Sequence, residues 1–244
     1  MTPEWVGAPP LAAVIDLDDT LYPQAAYLAG AAVAVSARAA ELGLDPDAFH
    51  AEFAAALAEG SDQGGTIDRA LAGLGFSPEH AAGIVPALVS AFMGFRPTRL
   101  SCYPGAKEAL SALAGHLPVA CLTDGVPDIQ RAKLSALGLD DAFQFVVITD
   151  DLGGRATRKP HPAGLLRAAG LLSVAPAALV VIGDRPGKDV AVAIACGARS
   201  IRVRQGEYAT APDVPMAWTS VADFPVAVRA TLQTLGIEAV VAGP

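Results

Sequence analysis

Five short apolar runs alternate along this chain with segments whose apolar residues recur at helical spacing, and that alternation restricts the fold more than any other feature. The runs are Leu11–Leu17, Leu117–Thr123, Phe145–Thr149, Ala178–Gly183 and Ser200–Arg204, none longer than seven residues. Their near-continuous apolar character suits strands buried on both faces. Between them, Gly105–His116, Pro127–Leu137, Pro162–Leu171 and Lys188–Cys196 read as helices, with glycine or proline at their ends. Strands separated by helices form right-handed βαβ units and therefore a parallel sheet. The expected core is a doubly wound α/β domain.

The alternation stops from Ala25 to Phe95, where no strand pattern occurs and about four alanine-rich helical segments follow one another. Gly43–Pro46, Gly60–Gly65 and Gly75–Pro78 separate them, and Tyr22–Pro23 and Arg96–Pro97 flank the block. This predicts a helical cap at residues 23–98 inserted into a core made of residues 1–22 and 99–244, with loose ends at Met1–Pro10 and Val240–Pro244. At 52% hydrophobic and 17% charged residues, the chain has ample material for both cores. A net charge of −8 with no basic run argues against gripping nucleic acid or an anionic membrane surface. The most apolar helical stretch, Ala25–Val35, falls well short of the roughly 20 residues needed to span a bilayer. Cys102, Cys121 and Cys196 sit in or beside apolar runs without metal spacing, and the start of the chain carries Glu4 and prolines in place of a basic, then apolar, leader. These features predict a cytoplasmic protein with reduced core cysteines; Trp5 reads as packing or contact surface.

In open α/β sheets ligands bind beyond the carboxyl ends of the strands. Here the first strand ends in Asp16-Leu17-Asp18-Asp19-Thr20 and the second in Thr123-Asp124-Gly125; Arg158-Lys159-Pro160 follows the third, and the fourth ends in Gly183-Asp184 with Asp189 beyond. Carboxylates gathered at one edge repel one another unless a cation offsets them, so the pattern asks for a divalent metal. Asp16 and Asp18, two residues apart where a strand runs out, can face one opening. One can attack phosphorus while the other passes a proton to the leaving oxygen.

In that order, DLDDTLY, TDG, RKP and GDRPGKD resemble the four motifs of the haloacid dehalogenase superfamily, with the helical block in the position of its first-type cap. DLDDTLYP and KPHP look most like the pyrimidine 5′-nucleotidase-like and related small-metabolite phosphatases. The resemblance implies Mg²⁺-dependent transfer of a phosphoryl group from a small phosphorylated metabolite to an aspartate and then to water. Asp16 would be the nucleophile and a metal ligand. Asp18 would be the general acid and then base, its backbone carbonyl also reaching the metal. Thr123 and the backbone N–H of Asp124 would hold phosphoryl oxygens, with Lys159 neutralising charge between nucleophile and phosphate. Asp184 would bind the metal directly and Asp189 through water or as a supporting partner. Two departures stand out. Asp124 replaces the usual asparagine, so its backbone is expected to matter more than its side chain. Arg185 and Lys188 bring positive charge into the metal loop, where they are expected to pair with carboxylates.

GDRPGK has one residue too few between its glycines for a nucleotide-binding loop, His50, His80, His116 and His161 show no metal spacing, and no Gly-x-Ser-x-Gly occurs. Asp18 and Asp184 argue against a 2-haloacid dehalogenase, and retention of every motif residue argues against a non-catalytic scaffold. A phosphomutase sharing the constellation ranks second to a phosphatase. For substrate selection the expectation is a cap swinging on Tyr22–Gln24 and Arg96–Arg99, with Ser61, Asp62 and Gln63 as candidate contacts to the leaving group.

Overall fold

The computed structural model describes residues 7–60 and 63–237, so the chain ends, with Trp5, and Ser61 and Asp62 lie outside the described residues. In chain order the main elements are β1 (Ala12–Ile15), α1 (Gln24–Glu41), α2 (Pro46–Ala58), α3 (Thr66–Gly73), α4 (Pro78–Gly94), α5 (Ala106–Ala114), β2 (Val119–Thr123), α6 (Pro127–Leu137), β3 (Phe145–Ile148), α7 (Asp150–Gly153), α8 (Ala163–Leu172), β4 (Leu179–Gly183), α9 (Ala191–Ala195), β5 (Arg199–Val203), β6 (Thr219–Val221) and α10 (Phe224–Thr234). Two compact units result, one comprising Met1–Gln24 with Arg99–Pro244 and the other Ala25–Thr98.

The first unit is built on a fully parallel sheet of order β3-β2-β1-β4-β5-β6. β1, β2 and β4 are buried along their whole length, as their unbroken Val, Ile, Leu and Ala runs require. Along β1, Ala12 and Val14 turn to one face, where they pack with Ala120, Leu122 and Val147 against Leu165, Ala168 and Leu172 of α8. α10 packs with α5 and β5. Three expectations need correction. β3 is an edge strand, not a strand buried on both faces, and Val146 is 38% exposed. The helix expected from Lys188 instead begins as a single π-type turn over Pro186–Val190, and only Ala191–Ala195 is α-helical. Of the three free cysteines only Cys121 is buried; Cys102 and Cys196 are half-buried. β6 and α10 had no counterpart among the elements expected from sequence: β6 is three residues long and half-buried, too short to display a period.

The second unit consists of α1 from Ala25 onward, α2, α3 and α4. Phe49, Phe53, Leu71, Leu88, Val35 and Ala39 form its core. Asp45 and Ser77 cap α2 and α4, each followed by proline in the first turn, which is why those two helices start where the separators fall. In the loop after α2, the Gln63 amide donates to the Glu59 carbonyl at 2.6 Å.

Candidate active site

Strand register decides what meets what at the carboxyl edge. β1 lies between β2 and β4, with Ile15 opposite Cys121 and Ile182, so the order reverses beside β1 and the Asp16 N–H donates to the Ile182 carbonyl at 2.9 Å. This is the switch point at which doubly wound sheets bind ligands. Asp16 and Asp184 thus emerge from neighbouring strands. The π-type turn after β4 folds Asp189 back beneath them, its N–H donating to the Arg185 carbonyl at 2.8 Å. Glycine is required at 183: a Cβ there would lie 2.3 Å from the Asp189 carboxyl carbon.

One carboxylate oxygen from each of Asp16, Asp184 and Asp189 lies within 4.8 Å of the others, and all three side chains are buried. Lys159 sits among them, donating to Asp16 at 2.5 Å, to Asp189 at 2.6 Å and to the Leu122 carbonyl at 3.2 Å. Thr20 donates to the second Asp16 oxygen at 3.0 Å, and the Arg185 N–H to the second Asp189 oxygen at 3.0 Å. Asp184 is different. It is 1% exposed, and among the described residues neither of its carboxylate oxygens has a hydrogen-bond partner. Buried polar atoms are almost always satisfied, and two bare carboxylate oxygens facing two more carboxylates fit an oxygen-binding divalent cation. Three carboxylates against one ammonium leave two negative charges, the complement of such an ion. Burial, opposed by Lys159 and reinforced by Asp189, pushes Asp16 up to about 7. Burial and then Asp189 push Asp184 well above the usual carboxylate range, while Asp16 and Asp189 hold Lys159 well above the usual lysine value against its burial.

Asp18 stands outside this group of carboxylates. Burial raises its pKa, but Lys133, 2.7 Å away, together with hydrogen bonds from Tyr22 and Gln130, outweighs that and holds the acid below its ordinary value. Gln130 donates in turn to the Thr123 hydroxyl at 2.5 Å. The Asp124 side chain turns to the loops around it, accepting from Thr149 and the Lys159 N–H at 3.0 Å each and from Lys188 at 3.1 Å. Burial raises its pKa, and Lys159 and Lys188 outweigh that and lower it. Lys188 therefore pairs with a carboxylate, and the Arg185 guanidinium lies 4.0 Å over the Tyr208 ring and donates to its hydroxyl at 2.8 Å.

The seven residues given catalytic, phosphate-holding or metal roles in the sequence, Asp16, Asp18, Thr123, Asp124, Lys159, Asp184 and Asp189, lie at this edge; of the candidate cap contacts, Ser61 and Asp62 lie outside the described residues. Sequence reasoning missed Thr20, Gln130 and Lys133. The last two carried a readable signal: with Ile129, Leu134 and Leu137 they occupy the buried face of α6, where a glutamine and a lysine are out of place.

A parallel α/β sheet whose first strand delivers two aspartates, with a buried lysine and further carboxylates at adjoining strand ends, gathers at one edge the groups a hydrolase can use. The chain belongs to the haloacid dehalogenase-like hydrolase family, whose profile matches residues 11–197. It is 32% identical over 203 residues to the glyceraldehyde 3-phosphate phosphatase of Methanopyrus kandleri, covering 81% of this chain and 85% of that one. It is 38% identical over 138 residues to the phosphoserine phosphatase of Thermus thermophilus, covering 56% of this chain and 52% of that one. Among solved structures it resembles a HAD family hydrolase of Deinococcus radiodurans with bound phosphate and sodium, at a TM-score of 0.63 and 24% identity over 93% of this chain and 97% of that one; this likeness carries the fold. No described helix is long and apolar enough to cross a membrane.

Proposed function

We propose that this hydrolase is a Mg²⁺-dependent phosphatase that cleaves a small phosphate monoester through an aspartyl-phosphate at Asp16. The enzyme class, phosphoric monoester hydrolase, is that of the two relatives described above, named for glyceraldehyde 3-phosphate and phosphoserine. The observation that carries the reading is Asp16 fixed between Lys159 and Thr20, with the bare oxygens of Asp184 beside it and Asp18 two residues on.

Asp16 and Asp184 would hold the metal, with the Asp18 carbonyl and with Asp189 as a supporting partner whose oxygens are already engaged by Lys159 and Arg185. When bound, Mg²⁺ supplies positive charge to the transferring phosphoryl oxygens. An Asp16 oxygen forms a bond to phosphorus as the ester P–O bond breaks, and Asp18 gives its proton to the departing alkoxide oxygen. Asp18 then takes a proton from water, whose oxygen attacks phosphorus, releasing inorganic phosphate and restoring Asp16. Thr123, the Asp124 N–H and Lys159 hold the phosphoryl oxygens while charge is redistributed.

The test is a panel of phosphate monoesters with Mg²⁺, following inorganic phosphate and substrate together. Phosphate should appear in proportion to substrate consumed, cease in excess chelator, and fall at least a thousandfold in Asp16→Asn, an amide being a poor nucleophile. An isomerised phosphate ester without free phosphate, or an Asp16→Asn protein with near-normal rate, refutes the proposal.

A further inference from the structure

Asp18 is held more elaborately than a carboxylate at a strand end needs. α6 begins at Pro127, four residues past the end of β2, so its first turns stand over the strand ends. Its buried face carries Gln130, 2% exposed, and Lys133, 4% exposed, one helical turn apart. Burying an ammonium and an amide in an apolar face is unfavourable unless both are engaged. Both are engaged by the same carboxylate: Lys133 Nζ donates to one Asp18 oxygen at 2.7 Å and Gln130 Nε2 to the other at 3.0 Å. Tyr22 donates to the first oxygen as well, and Gln130 continues to Thr123 Oγ1 at 2.5 Å. Donors on both oxygens fix where the Asp18 carboxyl lies and how its plane is turned, and the Thr123 link ties that orientation to a strand end that would hold the phosphoryl group.

We infer that Lys133 and Gln130 are positioning residues that orient Asp18 toward the leaving oxygen of the substrate, so that this helix face sets the efficiency of leaving-group protonation. The inference rests on Asp18 being the general acid. A general acid contributes about 10²–10⁴-fold only when its proton lies within hydrogen-bond reach of the acceptor. An alkyl alkoxide is a poor leaving group and depends on that proton, whereas 4-nitrophenolate departs nearly without it. Misplacing Asp18 therefore acts selectively on alkyl esters, a signature that loss of fold does not produce.

The experiment measures kcat/KM in the full chain, with Mg²⁺, on 4-nitrophenyl phosphate and on the alkyl monoester turned over fastest in the panel. Lys133→Met, which fills the same space without charge, should lower the alkyl rate about 100-fold and the aryl rate about threefold. Lys133→Arg should restore at least a tenth of the alkyl rate. Gln130→Leu should lower the alkyl rate about tenfold and the aryl rate less than about threefold, and provides a second reading should Lys133→Met fold poorly. Lys133→Met combined with Asp18→Asn should be no slower on the alkyl ester than Asp18→Asn alone, because residues acting through one group are not additive. Equal losses on both esters, no loss on either, or multiplied losses in the double variant overturn the inference. If Asp18→Asn shows the selective alkyl loss and neither helix variant does, only the positioning role fails; if Asp18→Asn leaves the alkyl-to-aryl ratio unchanged, the acid role fails and the inference with it.

Discussion

Adding Mg²⁺ to chelator-treated protein should raise its melting temperature, and the rise should grow with pH. At pH 7.5 Lys159 pairs with Asp16 and Asp189, and the two Asp184 oxygens have no hydrogen-bond partner among the described residues. A cation at a hundred times its dissociation constant stabilises by about 2.7 kcal/mol, which for a chain of this size is about 5–10 °C. The pH dependence follows from the two raised acids. Asp16 titrates near about 7 when folded and Asp184 well above the ordinary value, whereas an unfolded aspartate titrates near about 3.9. Between those pH values the folded state retains protons that the unfolded state has released. The metal-free protein therefore loses stability as pH rises from about 4 through 7, each tenfold gain in a group's proton affinity on folding being worth about 1.4 kcal/mol. Mg²⁺ must displace more protons from this pair at pH 5.5 than at pH 7.5, which lies above the Asp16 value of about 7. Differential scanning calorimetry at pH 5.5 and 7.5, with and without Mg²⁺, should show the larger rise at pH 7.5. Asp184→Asn should leave the metal-free melting temperature at pH 7.5 unchanged or higher, since an acid crowded against Asp16 and Asp189 is gone, and should abolish the Mg²⁺ rise. A rise of equal size at both pH values, or one that survives Asp184→Asn, would refute the assignment of this cluster to a cation.

Gly183→Ala should destabilise by about 1–3 kcal/mol in denaturant melts and lower kcat at least tenfold, because the new methyl group displaces Asp189 from beneath Lys159. Arg202 is fully buried, paired with Asp213, and donates to the carbonyls of Tyr208 and Asp184 at 2.6 and 3.3 Å. Arg202→Met should therefore cost about 3 kcal/mol in the same assay and also raise the Mg²⁺ concentration needed for half-maximal rate. A loss below about 1 kcal/mol with unaltered Mg²⁺ dependence would show that this arginine does not support the metal loop.

Local chemistry was enough for much of this protein. Unbroken apolar runs such as Val119–Thr123 and Leu179–Gly183 read as strands covered on both faces, and their alternation with helices gives the parallel sheet. The sheet in turn fixes which ends of the strands are functional, so DLDDT, TDG and GDRPGKD were legible as parts of one edge. Pro46 and Pro78 after Asp45 and Ser77 placed helix starts in the same way, by cap chemistry that acts within four residues. Tertiary structure decided what depends on residues distant in sequence. The three-residue β6 is a strand only because β5 pairs with it. Lys133 and Asp18 are 115 positions apart, and only the crossover from β1 to β2 and on into α6 makes them an ion pair. The Asp124 side chain turns to Thr149 and Lys188 because β3 and the turn after β4 supply the donors. Among the described residues Asp184 has no hydrogen-bond partner for either oxygen because β4 ends beside Asp16 while Lys159 and Arg185 engage Asp189, an arrangement of charges that sequence spacing does not contain.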